Sequence, residues 1–321
     1  MMDLNQDGIL EQATLSKLSQ ATPLLEQWYS SETLKHIYRN DLSTNVNRIF
    51  SDTLAQEFYK YCPFPNTTYE QFKNSLLELP ELGQAIIGIR FWNLNLDRPF
   101  VDVVVSEQLL REDADLEAIK QAVLAPYKMF APKHLRLFLP SHWQDDIHQW
   151  PGAYWEQRYL AARISDMRAR PRPAQTSRLQ LVKPSDMSFY ARYADLYKER
   201  VEAQPTLSEY ARLETQEDMT SYLEEGTLFE VYINEAWAGL TAVTRHEEQG
   251  LRGFVVVEIL LSSSVAGQGF GVALQHQLVQ QLQANEDDVL FGTIDARNIA
   301  SIKTAQRSGR QDIGGFLWLP V

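Results

Sequence analysis

The sequence of 321 residues predicts an α/β protein with mixed parallel and antiparallel sheets, divided into two domains. Apolar runs typical of strands alternate with segments that carry apolar residues at helical spacing. Residues 167–177 hold three arginines and two prolines without apolar periodicity, which favours an extended linker. We therefore expect an N-terminal domain at 1–166, a linker at 167–177 and a C-terminal domain at 178–321.

Composition and charge disfavour a nucleic-acid partner and a membrane protein. The net charge of −12 disfavours a nucleic-acid partner, because such binding depends on neutralising phosphates with Lys and Arg. It also favours a solvated linker over a nucleic-acid-binding arm at 167–177. No apolar run approaches the length of a membrane span, and Met1 to Asp7 lack the pattern of a signal peptide. The single cysteine, Cys62, is expected to be a buried apolar residue, and a cytoplasmic location follows as an expectation.

The C-terminal domain shows strands and helices in a regular order. The predicted strands lie at 179–182, 227–233, 237–244, 254–261, 289–294 and 316–319, and the predicted helices at 187–201, 215–224, 272–282 and 299–308. Asn298 is placed to cap the last helix at its start, and Gly309 to end it. Because one strand alone follows Gly309, we expect residues 154–164 of the preceding domain to supply the final strand of this sheet.

A glycine-rich turn, Ala266-Gly267-Gln268-Gly269-Phe270-Gly271, follows the apolar strand 254–261 and opens directly into a helix. Glycines let backbone N–H groups approach a ligand closely, and the helix N-terminus adds the positive end of its dipole. Together they suit a pyrophosphate. The turn lacks the Lys-Ser/Thr pair of a phosphate loop, and it has neither the spacing nor the position of a dinucleotide fingerprint.

The turn and the segments after it resemble the GNAT superfamily of acetyl-CoA-dependent N-acyltransferases. Residues 266–271 correspond to the Gln/Arg-x-x-Gly-x-Gly/Ala motif A of that family, and Asn298-Ile299-Ala300-Ser301 with Gly309 corresponds to its motif B. The resemblance covers 178–321 and implies a GNAT-like acyl-CoA N-acyltransferase fold. It also implies acetyl-CoA as cosubstrate, no metal, and a primary amine on a small molecule or peptide as acceptor. The oligomeric state does not follow from it.

The resemblance also implies the cofactor-binding residues. Backbone groups of Leu261 and Ser262 should face the pantetheine where the fourth and fifth strands separate. The amides of Gly267, Gln268, Gly269, Phe270 and Gly271 should bind the pyrophosphate. Asn298 is read equally as a pantetheine contact or as a helix N-cap.

Three positions depart from the family pattern. Ala266 replaces the usual Gln or Arg, Ala305 stands where many members have a Tyr that protonates the leaving thiolate, and Arg310 replaces an aromatic residue. A thiol has a pKa near 8.5, so its thiolate can leave without an acid. Loss of the Tyr is therefore compatible with acyl transfer.

Glu258 is the candidate general base, because it is the one charged residue in the apolar strand 254–261. Burial would raise its pKa toward the range that a base needs near neutral pH. The alternative is that Glu258 pairs with an arginine or faces solvent. His246 is expected in an exposed hairpin, and Ser301 and Thr304 in capping or packing roles.

The N-terminal half repeats the same order more faintly. Helices are predicted at 53–61, 69–79 and 115–130, and strands at 84–91, 100–105 and 135–139. The segment 106–115, which corresponds to the glycine turn, has no glycine and four acidic residues, so it would repel a pyrophosphate. We predict a degenerate duplicate of the C-terminal domain, with an unrelated α/β domain as the alternative.

Three functions remain open at this point. The favoured one is transfer of an acetyl or other acyl group from CoA to a primary amine. A non-catalytic CoA-binding or protein-interaction module is the alternative, since three family positions have lost their usual side chains. Aminoacyl transfer from a charged tRNA is a distant third, because the chain is strongly acidic. The six histidines show no metal-ligand spacing.

Overall fold

The computed structural model describes residues 5–111, 113–141, 147, 150–209 and 211–321. The chain forms two compact units. The first takes the described residues up to Arg158 together with Glu247–Gly250 and Ile313–Val321, and the second consists of Tyr159–His246 and Leu251–Asp312. The last strand of the chain therefore belongs to the first unit.

Ten α-helices and eleven strands lie in the described part of the chain. Up to residue 163 they are α1 (Gln6–Ser19), α2 (Pro23–Trp28), α3 (Ser31–Phe50), α4 (Asp52–Tyr61), β1 (Ser75–Leu79), β2 (Gly83–Phe91), β3 (Pro99–Ser106), α5 (Leu116–Leu124), β4 (His134–Pro140) and β5 (Tyr154–Arg163). They continue with α6 (Ile164–Ala169), β6 (Leu179–Val182), α7 (Tyr190–Ala203), α8 (Gln216–Glu224), β7 (Leu228–Ile233), β8 (Ala236–Glu248), β9 (Leu251–Leu261), α9 (Phe270–Gln281), β10 (Val289–Asp295), α10 (Ile299–Arg307) and β11 (Gln311–Pro320).

The sheet of the first unit has the strand order β1-β2-β3-β4-β11-β5. The pairs β1–β2, β2–β3 and β4–β11 are antiparallel, whereas β3–β4 is parallel. The predicted strands at 84–91, 100–105 and 135–139 are confirmed. The helix predicted at 69–79 is wrong beyond a short 3-10 turn at Tyr69–Phe72, because Ser75–Leu79 pairs with β2. The helix predicted at 115–130 ends its α-helical part at Leu124, after which Pro126 lies in a 3-10 turn.

The sheet of the second unit has the order β5-β10-β9-β8-β7-β6, with Tyr159–Arg163 as the part of β5 that belongs to this unit. Its strands β6–β7 and β7–β8 pair antiparallel, and β9–β10 pairs parallel. The prediction that residues 154–164 supply the final strand is confirmed for Tyr159–Arg163, because β5 is the neighbour of β10, whereas residues 154–158 belong to the first unit and Ile164 begins α6. The apolar side of α9 packs in the core of this unit through Phe270, Leu274 and Leu278.

The two units repeat one topology. In each, antiparallel pairs lead to a parallel pair whose strands are joined by a helix, α5 in the first unit and α9 in the second, and the second unit has one more strand before its parallel pair. A parallel pair needs such a crossover, so the helix is part of the repeated unit. The mixed α/β fold class is confirmed, and the repeat supports the predicted tandem arrangement.

Residues 167–177 differ from the expected extended linker. They begin within α6 and end in a 3-10 turn at Ala174–Arg178. Arg168 donates hydrogen bonds to the carbonyl oxygens of Val279 and Leu282, at 2.7 and 2.6 Å. These carbonyls lie at the C-terminal end of α9, where a cation is favourable. Of the three arginines in this segment, which were expected to be solvated, Arg168 therefore caps the C-terminal end of α9.

Cys62 is fully buried, as expected for an apolar role, and burial raises the pKa of its thiol. Among the described helices none is long and apolar enough to cross a membrane.

Candidate active site

The candidate site lies where β9 and β10 stop pairing. Their paired residues are Val289 with Gly253, Leu290 with Phe254, and Phe291 with Val255. Beyond the last pair β9 continues to Leu261 and β10 to Asp295, so the two strands form a fork. Parallel strands that separate in this way leave backbone groups without a ladder partner, which makes the fork a place for a ligand.

The glycine turn after β9 leads into an uncapped helix. Gly267 and Gly269 have φ values of 73° and 83°, which glycine adopts without strain. Gly269 is the N-cap of α9 and supplies no side-chain hydrogen bond to the first turn. Within the described chain, the amides of Gly267, Gln268 and Gly269 donate to no backbone carbonyl. Their N–H groups and those of the first turn of α9 are thus available to an anion.

The space around the turn fits a bound phosphate group. A Cβ atom at Gly267 would meet nothing within 4 Å, so the backbone there is open to a ligand. A Cβ at Gly271 would lie 2.8 Å from Cγ2 of Thr304, so a side chain at that position would require Thr304 to move. Gln268 is held to the turn by a 2.9 Å hydrogen bond from Nε2 to the carbonyl of Ser264. Glycine is therefore favoured at Gly267 and Gly269 by their positive φ values, and at Gly271 by the nearby Thr304 side chain.

Glu258 lies on β9 with its carboxylate directed toward α7. The hydroxyl of Tyr193 donates to Oε2 of Glu258 at 2.6 Å. Burial raises the pKa of this carboxyl to about 7, and the Tyr193 hydrogen bond opposes the rise. Glu258 nevertheless keeps part of its surface exposed. It is therefore both desolvated and reachable, as a base near neutral pH must be.

A second carboxylate, Glu214, lies near Glu258 and contributes to its raised pKa. Burial raises the pKa of Glu214 as well. The backbone N–H of Glu214 donates to the Tyr193 hydroxyl at 3.1 Å, and the Tyr190 hydroxyl donates to the Glu214 carbonyl at 2.9 Å. The Tyr193 hydroxyl thus links the carboxylate of Glu258 to the backbone of Glu214, and burial raises the pKa of Tyr193. Among the described residues the partner of Glu258 is a tyrosine, not the arginine considered as an alternative.

The other predicted residues occupy different positions. Leu261 ends β9, and both backbone groups of Ser262 are engaged: its N–H donates to Ala238 at 2.8 Å and its carbonyl accepts from Val265 at 3.2 Å. Ser262 thus retains only a second carbonyl lone pair for a ligand. Asn298 is the N-cap of α10, and its side chain accepts from the Ser301 amide at 3.2 Å. The N-cap interpretation is confirmed, while the pantetheine contact stays a prediction.

Three less favoured residues fall where expected. His246 is exposed on β8. Ser301 donates its amide to the Asn298 cap, and the Thr304 hydroxyl donates to the carbonyl of Ala300 at 2.8 Å. These are capping and packing roles. In the described part of the chain, no group of three or more His, Cys, Asp or Glu residues is arranged to hold a metal ion.

Two of the three departures from the family pattern, Ala305 and Arg310, are buried, whereas Ala266 is exposed. Ala305 is fully buried on α10 and offers no proton donor. Arg310 follows the C-terminal turn of α10, where its amide donates to the Ala305 carbonyl at 3.0 Å. Gly309 has φ of 107°, which confirms it as the residue that ends this helix. Arg310 is 4% exposed, which is unusual for an arginine.

Sequence reasoning did not identify Tyr193 or Glu214 as site residues. Tyr193 belongs to an aromatic series at helical spacing, Phe189, Tyr190, Tyr193 and Tyr197, which indicates a buried helix face. Nothing in that spacing shows which hydroxyl meets Glu258. Glu214 lies just before α8, and its proximity to Glu258 depends on the tertiary fold.

Among solved structures, several proteins are similar to this chain. No protein-family model matches the chain, and no curated protein matches it. A crystal structure of a GCN5-related N-acetyltransferase from Sphaerobacter thermophilus aligns with a TM-score of 0.51 at 10% identity, over 86% of this chain and 93% of that chain. An acetyltransferase of the GNAT family from Colwellia psychrerythraea aligns with a TM-score of 0.46 at 10% identity, over 88% and 96%. A tandem GNAT protein from the clavulanic acid biosynthesis pathway aligns with a TM-score of 0.42 at 12% identity, over 74% and 79%.

At these identities the likeness concerns the fold. The Sphaerobacter structure spans nearly all of both chains. The strand order with its fork between β9 and β10 agrees with what the glycine motif implied. The chain has the GNAT fold.

Proposed function

We propose that the second unit transfers an acetyl or other acyl group from a CoA thioester to a primary amine. The observation that carries this proposal is the uncapped start of α9, where free amides follow a strand fork. A pyrophosphate suits those amides, since charge and hydrogen-bond donors coincide there. The pantetheine would then follow the fork past Leu261 and Ser262, with Asn298 at its other side. Positioning the thioester is the largest rate contribution that these residues can supply.

In this proposal Glu258 is the general base. A protonated amine cannot attack, so a carboxylate must first take a proton from it. The amine nitrogen then forms a bond to the thioester carbonyl carbon, and the carbon–sulfur bond breaks as CoA leaves. Because the pKa of Glu258 is raised to about 7, the carboxyl can accept the first proton from the ammonium and later release it to solvent. The second proton, which the nitrogen loses as the amide forms, passes to the departing thiolate. This route needs no tyrosine at position 305.

Calorimetric binding of CoA and acetyl-CoA tests the proposal. We expect dissociation constants in the micromolar range, about −8 kcal/mol. Gly269→Asp should abolish binding, since it adds a negative charge and a strained φ where the pyrophosphate would lie. Gly226→Asp is the matched control, because Gly226 has a similar φ of 67° after α8. A wild-type chain that binds neither compound would refute the proposal.

A non-catalytic CoA-binding module is the second candidate, favoured by the buried Ala305 in place of a proton donor. Release of free thiol in the presence of a panel of amines separates the two functions. Release that depends on one amine would refute the module, whereas binding without release from any amine, including polyamines and peptides, would favour it. Aminoacyl transfer predicts salt-dependent binding of tRNA, which the net charge of −12 disfavours.

A further inference from the structure

Arg310 is a buried cation, and two of its three guanidinium nitrogens lack a hydrogen-bond partner in the part of the chain that the structure describes. Its side chain is 4% exposed, and its Nε and Nη1 atoms have no hydrogen-bond partner among the described residues. Buried polar groups in native proteins are almost always paired, so each exception calls for a physical explanation. For a guanidinium the cost of an unmade bond is larger than for a neutral group.

The guanidinium lies at the vertex of the fork. Its Nη1 atom is 3.2 Å from the point where a Cβ on Gly292 would lie, and Cβ of Val256 is 3.3 Å from the same point. Gly292 and Val256 are the residues that follow the last paired residues, Phe291 and Val255. A side chain at position 292 would crowd both the guanidinium and Val256. Glycine there makes the room that Arg310 fills.

Within the described ranges of the chain, Arg310 has no counter-charge to justify its burial. Burial lowers the pKa of its guanidinium to about 10, and none of the described acidic residues opposes that effect. The group therefore keeps its charge at neutral pH. An unpaired buried cation is strongly destabilising, and an apolar residue of similar volume would fit at lower cost. An arginine at this buried position thus points to a negative group that arrives with a ligand.

The direction of the fork indicates which part of a ligand arrives. The glycine turn follows Leu261, Glu258 lies earlier on β9, and Val256 lies earlier again, about 7 Å before Glu258 along an extended strand. With the pyrophosphate at the turn and the thioester at Glu258, the acyl group extends toward Val256 and Arg310. A short acyl chain that ends in a carboxylate would place that carboxylate at the guanidinium.

We propose that Arg310 binds the terminal carboxylate of the acyl group, so that the preferred acyl donor is the CoA thioester of a short dicarboxylic acid. This inference rests on the proposed function, because it needs the CoA thioester to lie in the fork. A carboxylate matches the planar donor fork of a guanidinium and satisfies it with charge-assisted hydrogen bonds. An acetyl group would leave Nε and Nη1 unpaired.

Calorimetry with acetyl-CoA and succinyl-CoA tests the inference on the full-length chain. We expect wild-type protein to bind succinyl-CoA on the order of tenfold more tightly than acetyl-CoA. Arg310→Met should bring that ratio to about one without abolishing acetyl-CoA binding. Arg307→Met is the matched control, because it removes the same charge from an exposed position on α10, and it should keep the wild-type ratio.

Equal affinity of the wild-type chain for acetyl-CoA and succinyl-CoA would overturn the inference and leave the proposed function intact. Failure to bind any CoA compound would overturn both. Succinate is the control for a free carboxylate. If succinate alone raises the melting temperature of wild type but not of Arg310→Met, while the two thioesters bind equally, the site takes a free acid and the acyl assignment is wrong.

Thermal melting provides a second readout that separates a ligand site from a structural role. If Arg310 is an unpaired cation in the free protein, Arg310→Met should melt at or above the wild-type temperature. Succinyl-CoA should then raise the melting temperature of wild type more than that of the variant. An Arg310→Met chain that melts well below wild type would show that the arginine already has a structural partner, which would overturn the inference.

Discussion

Replacing Glu258 by Gln allows two separate tests. Protein stability shows whether the carboxyl is desolvated, and enzyme kinetics show whether it is the general base. Gln keeps the size and the ability to accept the Tyr193 hydrogen bond, and it removes the charge. Because burial raises the pKa of Glu258 from an ordinary 4.5 to about 7, the ionised carboxyl is less stable in the folded protein than in the unfolded chain. The substitution should therefore stabilise the protein wherever the wild-type carboxyl is ionised.

The magnitude follows from proton linkage. Between pH 4.5 and about 7 the folded state binds more protons at this site than the unfolded state, so wild-type stability falls as the pH rises through that window. The full loss is reached above pH 7 and corresponds to about 3 kcal/mol. Partial exposure of Glu258 makes this an upper value. Below pH 4.5 the carboxyl is protonated in both the folded and the unfolded state, so it does not lower the free energy of unfolding.

Urea unfolding at pH 5 and pH 8 measures the effect. Relative to wild type, Glu258→Gln should gain up to about 2.5 kcal/mol of stability between these two pH values, because part of the full loss is already present at pH 5. Glu217→Gln, which removes an exposed acid in the first turn of α8, is the matched control for the loss of one negative charge. Wild type and Glu258→Gln curves that run parallel between pH 5 and 8 would refute a desolvated carboxyl.

The kinetic half of the test asks whether the same carboxyl is the base. Wild-type kcat/KM for the amine should fall tenfold per pH unit below about 7, because only the carboxylate accepts the proton. Glu258→Gln should lower kcat/KM by about 100-fold to 10,000-fold and flatten the profile. If the variant retains the wild-type pH profile, another group is the base, even where the stability result agrees.

Two further predictions concern Tyr193 and the strand exchange. Tyr193→Phe removes the hydrogen bond that holds down the pKa of Glu258, so the pH of half-maximal activity should move upward; Tyr190→Phe, whose hydroxyl meets a backbone carbonyl, should leave it in place. If the pH of half-maximal activity moves downward in Tyr193→Phe, or moves by the same amount in both variants, this account is contradicted. A fragment of residues 177–321 lacks Tyr159–Arg163 and exposes the edge of β10, so it should aggregate on size-exclusion chromatography. A soluble fragment that melts cooperatively would show that β5 is dispensable.

The fold of the second unit was predictable because its local signals agree with each other. Strand β6 occupies the predicted 179–182, and α10 runs from the Asn298 cap to the Gly309 turn. The first unit was harder, because its leucine-rich segment 75–79 fits a helical period until it pairs with β2. Short apolar runs do not separate a strand from a helix, and only the partner strand decides.

The site was predictable only where a residue breaks the pattern of its own element. Glu258 stands out as an acid in an apolar strand, and the glycines stand out by spacing. Tyr193 and Glu214 carry no such signal, because a tyrosine on a buried helix face and an acid before a helix are ordinary. Arg310 was visible as a departure from the family pattern, but its burial and its missing partner depend on the close approach of Gly292.

The corresponding helix of the first unit explains why the site belongs to the second. The N-cap of α5 is Asp115, and its carboxylate accepts a hydrogen bond from the Ala118 amide at 3.1 Å. A side-chain anion therefore already occupies the helix N-terminus that α9 leaves free with Gly269. Glu107 and Asp113 add negative charge to the same segment, while Glu112 lies outside the described residues. Both units have the topology for an anion site, but only the second leaves the backbone amides free for a ligand, so CoA is expected to bind one site per chain.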